Sequence, residues 1–511
     1  MRVEPYLRRL AAEAIRNRLD LEADPALRPA KEAAHGDYQI NGLLPLAKKL
    51  RKPPRQLAAP VAEALAAHPV FERVEVAGPG FINLRLDIGW VSGQLRAQAA
   101  DAKRNGVPPV QRPERIVIDF SSPNIAKQMH VGHIRSTIIG DALVRLLRFA
   151  GHEVIGDNHL GDWGTQFGML IAGMERFGDP GALRDRGIEE LERVYLLASE
   201  AVKSDPAFAD RARVELAKLH SGDPDNLAAW NRFVQATRAE LDRVYERMQI
   251  RFDQWLGESA YQEMLPEVVD LLLERGIARE DQGAICVFFD DLPELGGSRT
   301  PFIVRKKDGA FLYATTDIAT VLYRRDRLQA ERAIYVVDQR QSLHFKQLFE
   351  VMLRLGAKMR LQHIGFGTVL GRDGRPLKTR EGDAVRLDSL LDEAEKRAAE
   401  LMQKEQGLNL DADQIAELSP LVGIGAIKYA DLKQNRLSDY QFDWDKMLSF
   451  KGNSGPYIQY AYARVQSIFR KAGMEPEQAV TEAPLDLQHP AEIGLGKHLI
   501  RFADAVHEAA E

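Results

Sequence analysis

A single cysteine, Cys286, in 511 residues excludes an intramolecular disulfide and every zinc site built on several thiolates. It reads as a small core residue. No apolar run approaches the roughly 20 residues that cross a bilayer, and residues 1–19 lack the apolar segment of a signal peptide, so the cytoplasm is the expected location. Neither Gly-x-Gly-x-x-Gly after a strand nor Gly-x-x-x-x-Gly-Lys-Ser/Thr occurs, which removes the usual support for dinucleotide-dependent oxidoreductases and P-loop enzymes. With 69 basic against 74 acidic residues, a net charge of -5, a uniformly basic nucleic-acid coat is excluded and only local basic faces are left. Low-complexity runs and visible internal repeats are absent as well. What is present is an ordinary globular composition, 45% hydrophobic and 28% charged, over a length several times that of a domain of about 150 residues, so three or four packed units are expected.

Residues 1–110 read as a small α+β unit. Tyr6 to Leu19 has helical apolar spacing, and Val70 to Val76 and Phe81 to Leu86 look like strands of a hairpin turning at Gly78-Pro79-Gly80. The run Lys48, Lys49, Arg51, Lys52 and Arg55 closes a helical segment broken by Pro53-Pro54, a pattern that fits a solvated helix end as well as a ligand surface. After a Pro- and Gly-rich linker, residues 111–385 read as a parallel-sheet domain. Arg115 to Phe120 forms a strand, the turn Ser121-Ser122-Pro123-Asn124 leads into a helix to Phe149, and Gly151 stops that helix before a second strand, His152 to Asn158. A helical insertion spans about 180–282. Strand-like runs return at Ala284 to Phe289, Phe302 to Arg305, Phe311 to Ala314, Ala333 to Val337 and near His363 to Phe366, with a helix from His344 to Leu355. Residues 386–511 read as almost entirely helical. The expected fold class is therefore α/β, a Rossmann-type parallel-sheet domain with a helical insertion, preceded by an α+β domain and followed by helices.

The chemistry concentrates at Asn124-Ile-Ala-Lys127-Gln-Met-His130-Val-Gly132-His133, at a loop-to-helix junction. In open parallel sheets ligands bind beyond the carboxyl ends of strands, and a helix N-terminus offers free N–H groups to phosphate. His130 and His133, three apart in a first helical turn, face one side and can donate to phosphate oxygens, while Gly132 lets a ligand approach the backbone. Two ordinary surface histidines remain an alternative. A metal pair finds no third ligand at a suitable spacing, and no protein-held metal is expected.

These residues resemble a known family. His130-Val-Gly-His133 is similar to the HIGH signature of class I aminoacyl-tRNA synthetases, and Ser121 through Asp141 resembles the arginyl-tRNA synthetases, of bacterial type, in particular. Gly36-Asp-Tyr-Gln39 and Gly78-Pro-Gly-Phe-Ile-Asn83 resemble that family's N-terminal domain. Asn158 through Gly168 resembles the loop after its second strand, and Ser454 through Arg464 the opening of its helical anticodon-binding bundle. The resemblance implies arginine-tRNA ligase activity: Mg-ATP activates L-arginine to the adenylate, and the arginyl group passes to the terminal ribose of its tRNA. It implies ATP with Mg2+ as a substrate complex, arginine and tRNA(Arg) as partners, no membrane and a monomer. Asp119, Tyr313 and Asp317 match positions that contact arginine in the family, and Asn124 and Gln341 match polar positions that hold its amino or carboxylate end. On residue pattern alone Asp317 reads as a helix N-cap and Tyr313 as a core aromatic. The family's Lys-Met-Ser-Lys-Ser loop is degenerate here. Its counterpart is Gly371 to Arg380, with Lys378 and Arg380 expected on ATP together with Lys127, His130 and His133, and Lys127 taking over the role of the missing lysine. For Lys378 and Arg380 an exposed basic loop is the plain alternative.

Lys48, Lys49, Arg51 and Lys52 are expected on the tRNA, as are Tyr457 and Arg464; Tyr460 and Tyr462 fit a packed helix equally well. The resemblance implies further bundle helices after Glu511, so a C-terminally shortened form is expected. On the residues alone, a class I synthetase for another amino acid, a nucleotidylyltransferase, or a catalytically inactive tRNA-binding protein stay open.

Overall fold

The computed structural model describes residues 1–511 except 298–299, 378–384, 406–409, 477 and 480–484, together with the side chains of Ala33 and Pro180. The chain divides into two compact units. One holds Met1–Arg112, Leu146–Gly151 and Arg464–Glu511, the other Pro113–Arg145 and His152–Ala463. The C-terminal stretch expected as one run from residue 386 is thus shared between them. Among the described residues no helix is long and apolar enough to cross a membrane.

In the first unit an antiparallel sheet runs in the order Leu27–Pro29, Tyr38–Ile40, Phe81–Leu86, Phe71–Ala77, the last two forming the hairpin. Alternation along Phe81–Leu86 sends Ile82, Leu84 and Leu86 inward against Leu7, Ala11 and Ile15 of helix Val3–Leu19, all almost completely buried. Helix Leu43–Leu50 ends at Arg51 in the left-handed conformation, and Pro54 opens helix Pro54–Ala66, where its missing N–H is one the first turn would leave unpaired anyway. The last helices, Pro490–Leu499 and Phe502–Ala510, belong to this unit: Lys497 pairs with Asp37 at 2.9 Å, and His507 Nε2 donates to the Pro108 carbonyl at 2.9 Å.

The second unit is built on a four-stranded parallel sheet in the order Arg360–His363, Arg332–Tyr335, Arg115–Asp119, Glu153–Asp157. The chain first crosses from the Arg115 strand to one side and later to the other, so the carboxyl ends of the Arg115 and Arg332 strands flank a switch point, where such sheets bind ligands. Helix Val131–Ala150 makes the first crossover. Helices between Thr165 and Arg247 cover most of the stretch expected as an insertion, about 180–282, and a three-stranded antiparallel sheet follows at Ala278–Asp281, Ala284–Val287 and Phe302–Arg305. Two sequence expectations need correction. Phe311–Ala314 is not a strand: Phe311 makes one bridge to Arg305 and helix Tyr313–Asp326 begins two residues on. The strand expected near His363 to Phe366 lies at Arg360–His363, its apolar character diluted because its side chains are only half covered. The helical C-terminal stretch also contains Tyr440–Gln441, which pairs parallel to Val369–Leu370.

Beneath the switch point, Arg324 is completely buried and donates to Asp119 at 2.7 Å and to Asp157 at 2.8 Å, with its guanidinium 5.1 Å from the Tyr335 ring centroid. These neighbours hold its pKa well above the usual arginine value against the cost of burial. Removing one member of such a group leaves a buried charge uncompensated. Arg324→Met is expected to destabilise the protein by about 3–5 kcal/mol in urea unfolding; a loss below about 1 kcal/mol, the worth of an exposed pair, would show the group to be solvated.

Candidate active site

The loop after strand Arg115–Asp119 is strained. Ser121, Ser122 and Ala126 have φ of 73°, 50° and 62°, a region that costs a side-chain-bearing residue about 1–3 kcal/mol and persists only where the surroundings enforce it. They do so here. The Ser121 N–H donates to Ser136 Oγ at 2.8 Å, the Ser122 N–H to Asn158 Oδ1 at 3.1 Å, and the Ala126 N–H to Thr237 Oγ1 at 3.0 Å, while Tyr245 from the insertion shares a 2.7 Å hydrogen bond with Ser121 Oγ. Asn124 forms a parallel bridge with Gly161, where any Cβ would lie 2.0 Å from Asn124 Oδ1. Glycine there lets the two loops touch.

The histidine helix starts at Val131, so His130 precedes its first residue and only His133 lies inside it. The two imidazoles are nevertheless together, with ring centroids 4.2 Å apart. The Gly132 N–H donates to His130 Nδ1 at 3.0 Å, and a Cβ on Gly132 would lie 2.7 Å from that ring, so glycine is what allows it to fold back. Burial and the neighbouring Lys127 lower the His130 pKa; burial, then His130, press His133 down to about 4. Both rings are therefore neutral near pH 7, donors rather than charges. The nearby charge is Lys127, whose ammonium rests 4.8 Å from the Tyr195 ring centroid.

Lys378 and Arg380 lie outside the described residues. The flanks of their segment are fixed: the Leu377 N–H donates to the Val369 carbonyl, the Val131 N–H to the Val385 carbonyl at 2.8 Å, and the Leu387 N–H to the Met129 carbonyl at 2.9 Å. Residues 385–387 are thus strapped to the histidine segment itself.

Among the residues matched to arginine contacts, Tyr313 opens its helix and is 71% exposed, a surface ring rather than the core aromatic its pattern suggested. Asp317 lies one turn further along, not at the N-cap, which is Leu312; its Oδ2 is 2.6 Å from His344 Nε2. Gln341, exposed, precedes helix Ser342–Arg354 at the end of the Arg332 strand. Asp119 is engaged on both oxygens, by Arg324 and by the Ser122 hydroxyl at 2.9 Å, so its face toward a ligand is already occupied by an internal guanidinium.

One residue escaped the sequence reading. Glu258, after Gly257, is pushed up to about 8 by burial and by the carboxylates of Asp162 and Asp317, against the lowering effect of the Trp163 backbone N–H. Asp162 is committed elsewhere, accepting from the Ser259 N–H at 2.8 Å and hydroxyl at 2.7 Å. Trp163 stacks on His220 and Trp230 Nε1 donates to the Asp162 carbonyl at 2.7 Å, fixing this loop to the insertion. Glu258 gave no signal because its partners come from a loop about 95 residues earlier and a helix about 60 later, and no motif or periodicity spans such gaps.

Away from this site, Lys48 and Lys49 end helix Leu43–Leu50, Arg51 follows in a left-handed conformation, and Lys52 comes next; all four are exposed. Helix Gly455–Ala472 carries Tyr457, Tyr460, Tyr462 and Arg464. Tyr460 packs on Phe450 at 5.8 Å between centroids, whereas Tyr457 and Tyr462 are exposed.

A parallel sheet with a switch-point site and a folded-back histidine pair at a helix start defines the catalytic domain of a class I aminoacyl-tRNA synthetase, and residues 97–444 match the family model described as tRNA synthetases class I (R), catalytic domain. Residues 6–86 match the arginyl tRNA synthetase N terminal domain, and residues 458–511 the DALR anticodon binding domain. The chain belongs to the arginyl-tRNA synthetase family. It is 44% identical over 493 residues to the arginine–tRNA ligase of Yersinia enterocolitica and 45% identical over 502 residues to that of Pseudomonas aeruginosa, covering 96% of this chain and 84% of each relative. Its fold resembles arginyl-tRNA synthetase from Plasmodium falciparum, with a TM-score of 0.82 at 30% identity over 99% of this chain and 87% of that one. The Thermus thermophilus enzyme gives 0.77 at 27%, over 99% and 88%.

Proposed function

We propose that the chain ligates L-arginine to tRNA(Arg) in two steps at the switch point, as a cytoplasmic monomer. The observations that carry the reading are the histidine pair folded back at the helix start by the switch point and, beside Asp317 and Asp162, the half-buried Glu258 carboxyl, pushed up to about 8. An acidic cluster of this kind, half-buried at Glu258 and Asp317, is completed by a cation, and a planar guanidinium satisfies two carboxylates through its forked donors better than the point charge of lysine does. Glu258 and Asp317 are the direct acceptors in this reading, with Tyr313 against the plane, Asn124 and Gln341 toward the α-amino and carboxylate end, and Asp119 behind them orienting the floor through Arg324.

In the first step the arginine carboxylate attacks the α-phosphorus of ATP and pyrophosphate leaves. Neutral His130 and His133 donate to phosphate oxygens; Lys127, together with Lys378 and Arg380, matches the charge that develops on them. The ATP enters as its Mg2+ complex, in which the ion shields the phosphates. In the second step the terminal ribose hydroxyl attacks the activated carbonyl and AMP leaves. For the tRNA, the exposed Lys48–Lys52 cations supply sequence-independent phosphate contacts. A cleft of about 590 Å³ in the same unit, lined in part by Arg28, Lys31, His35, Gln39, Asn41 and Phe81, offers the amide and aromatic groups that recognise unstacked bases. Tyr457 and Arg464 add a stacking and a charged contact.

The test is incorporation of labelled pyrophosphate into ATP, with and without total tRNA, using arginine, lysine and citrulline. Exchange with arginine alone is expected. Exchange with lysine or citrulline at a comparable rate, or none with any of the three, would overturn the assignment.

A further inference from the structure

One turn behind its active end, the histidine helix is held by a charge pair that the chemistry above leaves unused. Arg135 is 1% exposed. Its Nε donates to Asp431 Oδ1 at 2.9 Å, and its Nη1 donates to the carbonyls of Gly367 at 2.9 Å and Ser438 at 3.1 Å. The guanidinium lies 5.9 and 5.2 Å from the ring centroids of Phe366 and Tyr440, and Nη2 has no hydrogen-bond partner. One side chain therefore ties together three segments. The first is the histidine helix. The second is the 366–370 segment that leads into the basic loop, itself stitched to residues 436–442 by the Gly367 N–H to the Arg436 carbonyl, the Tyr440 N–H to the Thr368 carbonyl and the Phe442 N–H to the Leu370 carbonyl. The third is helix Ala412–Leu432, which carries Asp431. That helix also receives the start of helix Gly455–Ala472: Gln459 Nε2 donates to the Leu421 carbonyl at 3.1 Å, Lys433 Nζ donates to the Asn453 carbonyl at 2.8 Å, and Tyr429 bonds to the Asn453 side chain.

A buried, incompletely satisfied ion pair is a poor way to gain stability, since well-packed apolar residues of similar volume serve as well or better. What it supplies is directional: three hydrogen bonds from one fork set where the helix sits along its own axis, which apolar packing does not. His130 and His133 lie five and two residues before Arg135, so a slip at the fork moves both.

We propose that Arg135 and Asp431 are positioning residues for adenylate formation, holding the His130–His133 end of its helix in register with the strand that leads into the basic loop. The inference rests on the assignment of these histidines to the ATP phosphates. Its consequence is a rate effect in place of a binding effect, because a displacement of about 1 Å at the reacting groups costs up to about 100-fold while the substrates still bind.

The experiment is the double substitution Arg135→Met with Asp431→Leu, compared with Arg135→Lys and with the unsubstituted protein. The double variant is expected to unfold at a urea midpoint equal to or above that of the unsubstituted protein, yet to exchange pyrophosphate about 10- to 100-fold more slowly, with KM for ATP and arginine changed by less than about twofold. Arg135→Lys, which keeps the charge and loses the fork, is expected to fall between. Unchanged kcat in a stable double variant would overturn the proposal, as would a fall confined to KM. If the double variant does not fold, Arg135→Lys decides: lowered kcat at unchanged KM supports the role, unchanged kcat overturns it. Absence of arginine-dependent exchange in the unsubstituted protein would instead sink the functional assignment, and this inference with it.

Discussion

Glu258→Gln is expected to abolish most arginine-dependent exchange, lowering kcat/KM for arginine by roughly 30- to several thousand-fold, the equivalent of about 2–5 kcal/mol for truncating one partner of a buried, hydrogen-bonded charge pair. The loss should fall mainly on KM for arginine, with KM for ATP little affected, because the proposed reading sets Glu258 against the amino acid and not the phosphates. The sign of the pH effect follows from the same geometry. In the free protein the Glu258 carboxyl sits at about 8, so below that pH it is mostly protonated. A bound guanidinium favours the carboxylate, so binding expels a proton and affinity must rise with pH. KM for arginine is expected to fall by up to about tenfold per unit as pH approaches 8 from below, and to level off above it. In Glu258→Gln that slope disappears. A wild-type KM independent of pH between 6 and 8, or a Gln variant with the wild-type KM, would remove Glu258 from the arginine site.

How much of this was legible in the sequence depended on how local each determinant is. The Arg115 strand, the turn after it and the histidine helix could be read because an apolar run, a proline and asparagine, and a 3.6-residue period lie consecutively in the chain. The hairpin at Gly78-Pro79-Gly80 was legible for the same reason. Phe311–Ala314 misled because Phe-Leu-Tyr-Ala carries β-type residues, and the helix that claims Tyr313 shows its period only further on. Asp317 looked like a cap because a carboxylate preceding Ile-Ala-Thr has the composition of one; the helix in fact starts a turn earlier, and Asp317 meets His344 from a later element. Glu258, Arg324 and the Arg135–Asp431 pair were invisible since each is defined by partners between about 60 and 300 residues away. The family resemblance supplied what local reading did not for Asp119, yet only the structure shows that its oxygens are already held by Arg324 and Ser122.

His133→Ala is expected to slow exchange by about 100- to 1000-fold, the usual cost of removing one preorganised donor from developing oxyanion charge. Binding of tRNA, and its salt dependence, should be almost unchanged, because the cations that meet the tRNA backbone in the proposed reading lie elsewhere, at Lys48–Lys52. The pH profile separates this donor role from an acid–base role. With its pKa pressed to about 4 by burial and by His130, the ring is neutral in the folded protein at every pH above that, so the wild-type rate should show no inflection from His133 between pH 5 and 8. The same shift sets a stability trend. The unfolded chain takes up a proton near 6.5 and the folded one does not, so stability contributed at this position is intact above pH 6.5 and is lost as pH falls from there toward 4. His133→Ala should flatten that decline. An Ala variant with wild-type exchange would leave a tRNA-binding protein whose histidine pair takes no part in nucleotidyl transfer; a slow variant that has also lost tRNA would point to a disrupted loop, with the strained Ser121–Ala126 backbone the first place to look.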